Sequence, residues 1–144
     1  MNSMNAKFFL DTNVIIYAVE GLPASKSDVA EEFILRGIKD GLGVISYQVQ
    51  ECLNAVTRKA RIALPLPDAL DFMRNTLEPL CTVFLESTAL FEAALGVHGR
   101  YQYSFYDSLI IAAALEAGCD LLYSEDLHHG QHIGRLRIEN PFVT

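Results

Sequence analysis

Short, continuously apolar segments, each followed by a stretch with helical patterning, constrain the fold of this chain more than any other feature. They are "AKFFL", "GVIS", "CTVFL" and "DLLYS", with "RLRIEN" as a weaker fifth. Strands of this kind are typical of a parallel sheet that is covered on both faces. The alternation therefore predicts an α/β fold in three layers, with a central, mainly parallel sheet of four to five strands flanked by helices. At 144 residues, the whole chain 1–144 is expected to form one domain.

Turn and cap residues predict where the helices begin and end. Ser25 with Asp28 forms a capping-box pattern, and Ser46, Ser87 and Ser104 each precede a later helical stretch. Gly21 and Gly118 follow two of the helices, as is common at helix C-termini. We expect helices over residues 12–19, 25–39, 46–60, 68–77, 87–97 and 104–117.

The net charge of −7 argues against a simple cationic nucleic-acid binder and suits a partner that brings positive charge, such as a metal ion or a basic protein. The three cysteines are far apart among apolar residues, which predicts buried, reduced thiols: Cys52, Cys81 and Cys119. The longest apolar run, "LIIAAAL", is much shorter than the roughly 18 residues of a membrane span. With no secretory signal in the sequence, we expect a cytoplasmic protein without a membrane segment.

Four acidic residues fall where the predicted strands end and the next helices begin. The carboxyl ends of parallel strands share one edge of a sheet, and ligands of open α/β sheets bind along that edge. The sequence therefore predicts that these four side chains converge: Asp11, Glu51, Asp107 and Asp126.

Each of these acids also has a structural interpretation. Asp11 is a good helix N-cap, and Asp107 completes a capping box with Ser104. Asp126 could be an ordinary loop acid, and Glu51 lies opposite the apolar stripe of its helix, where a solvated face explains it. Taken one at a time, the four residues do not decide between a structural and a functional role.

Taken together, the four acids indicate a metal site. Two carboxylates 4 Å apart repel by about 4 kcal/mol at an effective dielectric constant of 20, so a cluster needs a compensating cation. Oxygen ligands without cysteine or histidine favour Mg²⁺ or Mn²⁺ over zinc. Such a site can activate water and bind a phosphodiester.

Three segments, "FFLDTNVIIYA", "SYQVQECLNAV" and "YSFYDSLIIAAALEAGCDLLYSEDLHHGQ", resemble the PIN domain, and more closely the VapC-type toxins of bacterial toxin–antitoxin pairs. The resemblance covers essentially the whole chain. It implies a Mg²⁺- or Mn²⁺-dependent endoribonuclease in which a metal-activated water attacks an RNA phosphodiester. It also implies a homodimer that is silenced by an antitoxin, for which we expect a basic tail.

By position, the resemblance assigns catalysis and metal binding to the four acids. It matches Asn13 to the polar residue after the first Asp, and Ser124 to a hydroxyl position that is often Thr in the family. We expect Thr12 and Asn13 to orient Asp11.

Basic and aromatic residues near these motifs suggest substrate contacts. Arg58 begins the cluster "RKAR", which is either a charged helix end or a phosphate contact. His129 is the histidine of "HHGQH" most expected to touch substrate, although a zinc site is the alternative there. Phe105 and Tyr106 are expected in the core, with base stacking as the alternative for the tyrosines.

Two other functions stay open. A phosphatase with an aspartyl nucleophile usually carries a second Asp two residues after the first, and position 13 is Asn. A catalytically silent binding module would keep the fold without turnover.

Overall fold

A computed structural model describes residues 7–58 and 62–143. The strands are β1 (Phe8–Leu10), β2 (Leu42–Ile45), β3 (Cys81–Phe84), β4 (Leu121–Tyr123), β5 (His132–Ile133) and β6 (Leu136–Glu139). The helices are α1 (Thr12–Glu20), α2 (Ala24–Asp40), α3 (Ser46–Thr57), α4 (Leu66–Phe72), α5 (Glu78–Leu80), α6 (Thr88–Tyr101) and α7 (Phe105–Glu116), with a π-helical segment (Met73–Leu77) between α4 and α5.

The strands form one sheet in the order β3-β2-β1-β4-β6-β5. Every neighbouring pair is parallel except β5 and β6, which are antiparallel. The mainly parallel α/β sheet is therefore confirmed, with one strand more than predicted. β5 has only two residues, which is too short for a recognisable apolar pattern.

Alternate residues of the strands face opposite sides of the sheet and build two cores. Phe9 and Leu122 pack with the residues of α6 and α7 on one side. Phe8 and Leu10 pack with α1, α2 and α3 on the other side. The three-layer prediction is thus confirmed, and the central strand β1 is buried on both faces.

Helix caps that depend on neighbouring residues are predicted correctly. The Ser87 hydroxyl accepts a hydrogen bond from the Leu90 N–H (3.2 Å), and that of Ser104 accepts one from the Asp107 N–H (3.1 Å). Gly118 follows α7 with a φ of +76°, the left-handed conformation that suits glycine. These contacts span at most three residues, so the local sequence contains the information.

Two predicted caps are wrong. α2 begins at Ala24 after Pro23, without a side-chain cap, so the pattern of Ser25 and Asp28 does not start it. Proline has the φ that helix entry requires, −64° here, which explains the earlier start. Ser46 is the first residue of α3, and its hydroxyl donates to the Glu86 carboxylate instead.

Glu86, from a distant part of the chain, accepts hydrogen bonds at the N-terminus of α3. Besides the Ser46 hydroxyl, it accepts the Tyr47 N–H at 2.9 Å. A carboxylate at a helix N-terminus satisfies an otherwise unpaired donor and stabilises the helix dipole. The local sequence of α3 gives no sign of this partner.

Several helix ends also differ from the prediction. α3 ends at Thr57, and residues 59–61, where the predicted end lies, are outside the described ranges. α4 begins at Leu66 and continues into the π-helical segment instead of a regular helix over 68–77. α6 continues to Tyr101 past the predicted end at Val97 and closes at Gln102, whose φ is +68°.

The predicted burial of the cysteine thiols is confirmed for two of the three. Cys52 and Cys119 are buried, as expected, whereas the side chain of Cys81 is outside what the structure describes.

Within the described ranges, no helix combines the length and apolarity needed to cross a membrane.

Gln48 joins the two strands that precede α1 and α3. Its side chain is fully buried, donates to the Leu10 carbonyl at 2.6 Å and accepts the Ile45 N–H at 2.9 Å. The ladder between β1 and β2 pairs only Phe8 and Phe9 of β1. The Gln48 amide therefore continues the connection where the backbone ladder stops, directly before Asp11.

We predict that Gln48→Met lowers the free energy of unfolding by about 2–4 kcal/mol. The change leaves two buried backbone groups without their partner, and each costs about 1–3 kcal/mol. Urea denaturation followed by circular dichroism measures the effect. Gln50→Met, at an exposed position of the same helix, is the matched control and should change stability by less than about 0.5 kcal/mol. Equal midpoints for the two variants would contradict the bridging role.

Candidate active site at the carboxyl edge of the sheet

A cleft of about 370 Å³ opens at the carboxyl edge of the sheet, between the N-terminal parts of α1 and α7, one side of α3 and the segment after β4. All four predicted acids line it, together with Asn13 and Arg58. The full lining is Asp11, Thr12, Asn13, Ile16, Tyr47, Glu51, Asn54, Ala55, Arg58, Tyr106, Asp107, Ile110 and Asp126. The predicted convergence of four distant acids on one rim is present in the structure.

Asp11 lies at the bottom of this cleft and is only 6% exposed. One carboxylate oxygen accepts the Thr12 N–H (2.7 Å), and the other accepts the Ser124 hydroxyl (2.8 Å). It is also the N-cap of α1. The structural interpretation of Asp11 as a cap is therefore correct, and it does not exclude a position in the acidic cluster.

The electrostatics of Asp11 show how closely the acids are gathered. Burial raises the pKa of Asp11 from its ordinary value of 3.8 to about 6. The hydrogen bonds from Ser124 and Thr12 oppose this rise, whereas the charges of Asp107 and Asp126 add to it. Burial also raises the pKa of the half-buried Asp107, and Asp126 again adds to the rise.

Ser124 connects Asp11 to the segment that carries Asp126. Its hydroxyl is fully buried, donates to Asp11, and accepts the N–H groups of Asp126 (3.2 Å) and Leu127 (3.3 Å). One hydroxyl therefore fixes two of the acids relative to each other. A threonine would offer the same oxygen, in keeping with the hydroxyl predicted at this position.

Thr12 and Asn13 hold the other acids more than they hold Asp11. The Thr12 hydroxyl donates to Glu51 at 2.7 Å, and the Asn13 amide donates to Asp126 at 2.9 Å. Only the backbone N–H of Thr12 contacts Asp11. The expectation that Thr12 and Asn13 orient Asp11 is met by the Thr12 N–H, whereas the two side chains contact Glu51 and Asp126 instead.

Of the two neighbouring acids Glu125 and Asp126, Asp126 lines the cleft, whereas Glu125 has its partners outside it. The Glu125 carboxylate forms an ion pair with Lys26 and accepts the Tyr17 hydroxyl at 2.7 Å. The Lys26 ammonium also lies over the rings of Tyr17 (5.0 Å) and Phe142 (5.5 Å). Sequence reasoning missed this cluster because its members come from distant segments without a shared motif.

Tyr47 and Tyr106 form an aromatic rim on the cleft. Their rings stack at 4.2 Å between centroids and 9° between planes. Tyr106 is 52% exposed, so its predicted place in the core is wrong, whereas Phe105 packs partly buried against the core of α6 and α7. The tyrosine follows Phe105 directly in the helix and points to a different side.

The two predicted substrate contacts have different positions. Arg58 is exposed at the end of α3 and lines the cleft. His129 lies outside the lining, and its Nδ1 accepts the Asn140 N–H at 2.9 Å. The contact secures the segment after β4 to the end of β6, so His129 has a structural partner in this arrangement.

The donor set of the cleft suits a hard divalent ion. The four acids supply oxygen only, and no histidine or cysteine is among the described residues that line the cleft. In the described part of the chain, no three of the acidic, histidine or cysteine side chains form a preassembled metal site, and this includes the histidines of "HHGQH". Mg²⁺ commonly keeps several waters and uses only one or two carboxylates, so the residues fit such an ion without a closed cage.

Two solved structures of low sequence identity share the fold. A chain of VapBC2 from Rickettsia felis, solved bound to a DNA fragment from the promoter, superposes with a TM-score of 0.65 at 18% identity, covering 92% of this chain and 97% of the other. VapC20 of Mycobacterium tuberculosis, described as a sarcin-ricin loop cleaving toxin, gives 0.63 at 19% identity and covers 83% and 89%. No curated protein matches the sequence significantly.

The sequence itself matches the family model of the PIN domain over residues 8–132, which include the four acids of the cleft, both tyrosines of its rim and strands β1 to β4. The chain belongs to the PIN domain family.

Proposed function

We propose that this protein is a Mg²⁺- or Mn²⁺-dependent endoribonuclease and the toxin of a toxin–antitoxin pair. The observation that carries the proposal is the position of Asp11, Asp107 and Asp126, with Glu51, in one cleft of a PIN domain. The similarity to a toxin described as cleaving the sarcin-ricin loop, and to a VapBC complex, supports RNA as substrate and an antitoxin as partner.

In this proposal, carboxylates of the four acids in the cleft would hold one or two divalent ions. A bound ion would lower the pKa of a water and stabilise the negative charge on the phosphate oxygens during phosphodiester hydrolysis. Asp11 must be ionised to contribute, and with a pKa of about 6 it is mostly ionised above neutral pH.

The other residues of the site position the acids. Ser124 and the Thr12 N–H fix Asp11, while Asn13 and the Thr12 hydroxyl fix Asp126 and Glu51. Arg58 at the rim is the proposed phosphate contact, since its guanidinium can donate two hydrogen bonds to one phosphate. For His129, we propose a positioning role through Asn140 in place of direct substrate contact.

The two rival functions are less well supported. The Asn13 amide donates to Asp126 where an aspartyl phosphatase would need a second carboxylic acid. A silent binding module has no need for a carboxylate whose pKa is raised by burial and, in addition, by the charges of Asp107 and Asp126.

A second groove supports a basic protein as partner. It has a volume of about 390 Å³ and lies between α1, α2 and the α4–π segment. Its floor contains Val19, Ile34 and Phe72, and its rim contains acids. An antitoxin segment with apolar and basic side chains would complement both. We also propose that the protein is a homodimer in the cytoplasm.

We predict that Asp11→Asn and Asp107→Asn each reduce metal-dependent RNA cleavage by at least about 100-fold, because each removes a charged ligand. Cleavage of a structured RNA in Mn²⁺, followed on denaturing gels, measures the effect. Asp120→Asn is the matched control, since this exposed acid lies before β4 at the opposite edge and pairs with Arg135. It should retain the wild-type rate.

The same assay separates the alternatives. Cleavage that persists in EDTA would contradict the metal mechanism. A protein that binds Mn²⁺ but hydrolyses no RNA would be a silent module. Hydrolysis of a small phosphomonoester that depends on Asp11 would indicate the phosphatase.

We predict that the metal-free protein loses stability as the pH rises from about 4 to 7. The pKa of Asp11 is higher in the folded protein (about 6) than the ordinary 3.8, so the folded state binds this proton more tightly. Ionisation therefore costs up to about 3 kcal/mol of folding free energy at neutral pH. Urea denaturation in EDTA at pH 4.5 and 7.5 should show a smaller loss for Asp11→Asn than for wild type.

Mn²⁺ should reverse this loss. An ion that binds only the folded protein adds about 4 kcal/mol at 1,000 times its Kd. The gain should appear at pH 7.5 in wild type and in Asp120→Asn but be largely absent in Asp11→Asn. An identical response of all three proteins to pH and to Mn²⁺ would show that Asp11 is not part of a metal site.

We predict that expression of the wild-type protein arrests growth of a bacterial host and that Asp107→Asn does not, because toxicity requires catalysis. Growth after induction measures it. Co-expression of a small neighbouring reading frame that encodes an antitoxin should restore growth. Arrest by the Asp107→Asn variant at equal protein levels would contradict the toxin proposal.

A further inference from the structure

The stacked pair Tyr47–Tyr106 is a feature of the cleft that the acids do not explain. Tyr47 comes from the first turn of α3, and Tyr106 from the first turn of α7, directly before Asp107. Both line the cleft, and their rings are nearly parallel. Two distant segments thus place aromatic rings beside the acid cluster.

Neighbouring residues hold the tyrosine pair in place, and part of the Tyr106 ring stays exposed to solvent. The Tyr47 N–H is held by Glu86, and the ring of Phe105 lies edge-on to that of Tyr106 at 5.7 Å. With one face covered by Tyr47, the ring of Tyr106 is still 52% exposed. A rigid aromatic ring with an open surface is a suitable platform for another flat group.

The charges of the described lining residues do not favour a polyanion in this cleft. Four acids line it, and Arg58 is the one cation in the lining formed by the described residues. The whole chain carries a net charge of −7. Stacking of a base on an aromatic ring does not depend on charge, so it can supply affinity where phosphate contacts are few.

Resting on the proposed ribonuclease function, we propose that Tyr106, supported by Tyr47, is a subsite for an unpaired nucleobase of the RNA substrate. Tyr106 is the neighbour of Asp107, so this base belongs to a nucleotide close to the scissile phosphate. A base within a duplex is already stacked on both faces and cannot reach the ring.

The test uses hairpin RNAs with the fluorescent base 2-aminopurine at successive loop positions. Binding is measured with Asp107→Asn protein in Mg²⁺, so that the RNA stays intact. Stacking should quench the fluorescence at one loop position. Adding Tyr106→Leu should abolish the quenching and weaken binding about 10-fold, whereas adding Tyr106→Phe, which keeps the ring, should retain both.

Leu95→Ala is the matched control, because Leu95 is a 57% exposed apolar residue on α6 that does not line the cleft. It should leave quenching and Kd unchanged. Circular dichroism melting of each variant verifies folding, and Tyr106→Phe keeps the test decisive if Tyr106→Leu is unstable, since loss of quenching with the ring in place would overturn the subsite.

The single Tyr106→Leu substitution then separates the two proposals. A raised KM for the hairpin, together with retained Mn²⁺-dependent cleavage, is the expected result. Cleavage and quenching equal to wild type would overturn the subsite while leaving the ribonuclease function intact. If wild-type protein cleaves no RNA in Mn²⁺, the ribonuclease function fails, and the subsite with it.

Discussion

The burial of one carboxylate at the junction of β1 and α1 is the constraint on which the rest of the site depends. Asp11 is fixed by the strand before it, the helix it caps and the hydroxyl of Ser124. A buried carboxylate without a cation is costly, and the raised pKa of Asp11 reflects that cost. Asp11 nevertheless stays buried, because the backbone before it is held in place. The central strand β1 is buried on both faces, and the Gln48 side chain bridges β1 and β2.

The sheet order determines which segments can meet this carboxylate. β1 lies between β2 and β4, so the segments that follow those two strands are its nearest neighbours at the carboxyl edge. α3, after β2, supplies Glu51 and Tyr47, and the segment after β4 supplies Asp126. α7 precedes β4 and therefore runs toward the opposite edge, which places its N-terminus and Asp107 at the cleft.

The sequence was most informative where a feature depends on near neighbours or on strand topology. The parallel sheet, the caps at Ser87 and Ser104 and the convergence of the acids all follow from such patterns. Features that join distant segments were not predictable. Glu86 serves α3 from about 40 residues away, and the partners of Glu125 are Lys26 and Tyr17, far earlier in the chain. The prediction that Tyr106 lies in the core was wrong, because the sequence at a helix start does not show which of two neighbouring aromatic rings faces the core.

In the proposed ribonuclease function, repulsion among the acids and exposure of the tyrosine pair both affect how RNA would bind. A cluster of carboxylates gathers a divalent ion, and before the ion binds it repels a polyanionic substrate. The ion reduces this repulsion only locally, so the substrate needs a second source of affinity that is independent of charge. The ring of Tyr106, one residue before Asp107 and in the same cleft, would offer it without adding a cation that competes with the metal for the carboxylates. In this proposal, the acid cluster and the aromatic rim complement each other: the acids would bind the ion, and the ring would compensate for the unfavourable charge that this requires.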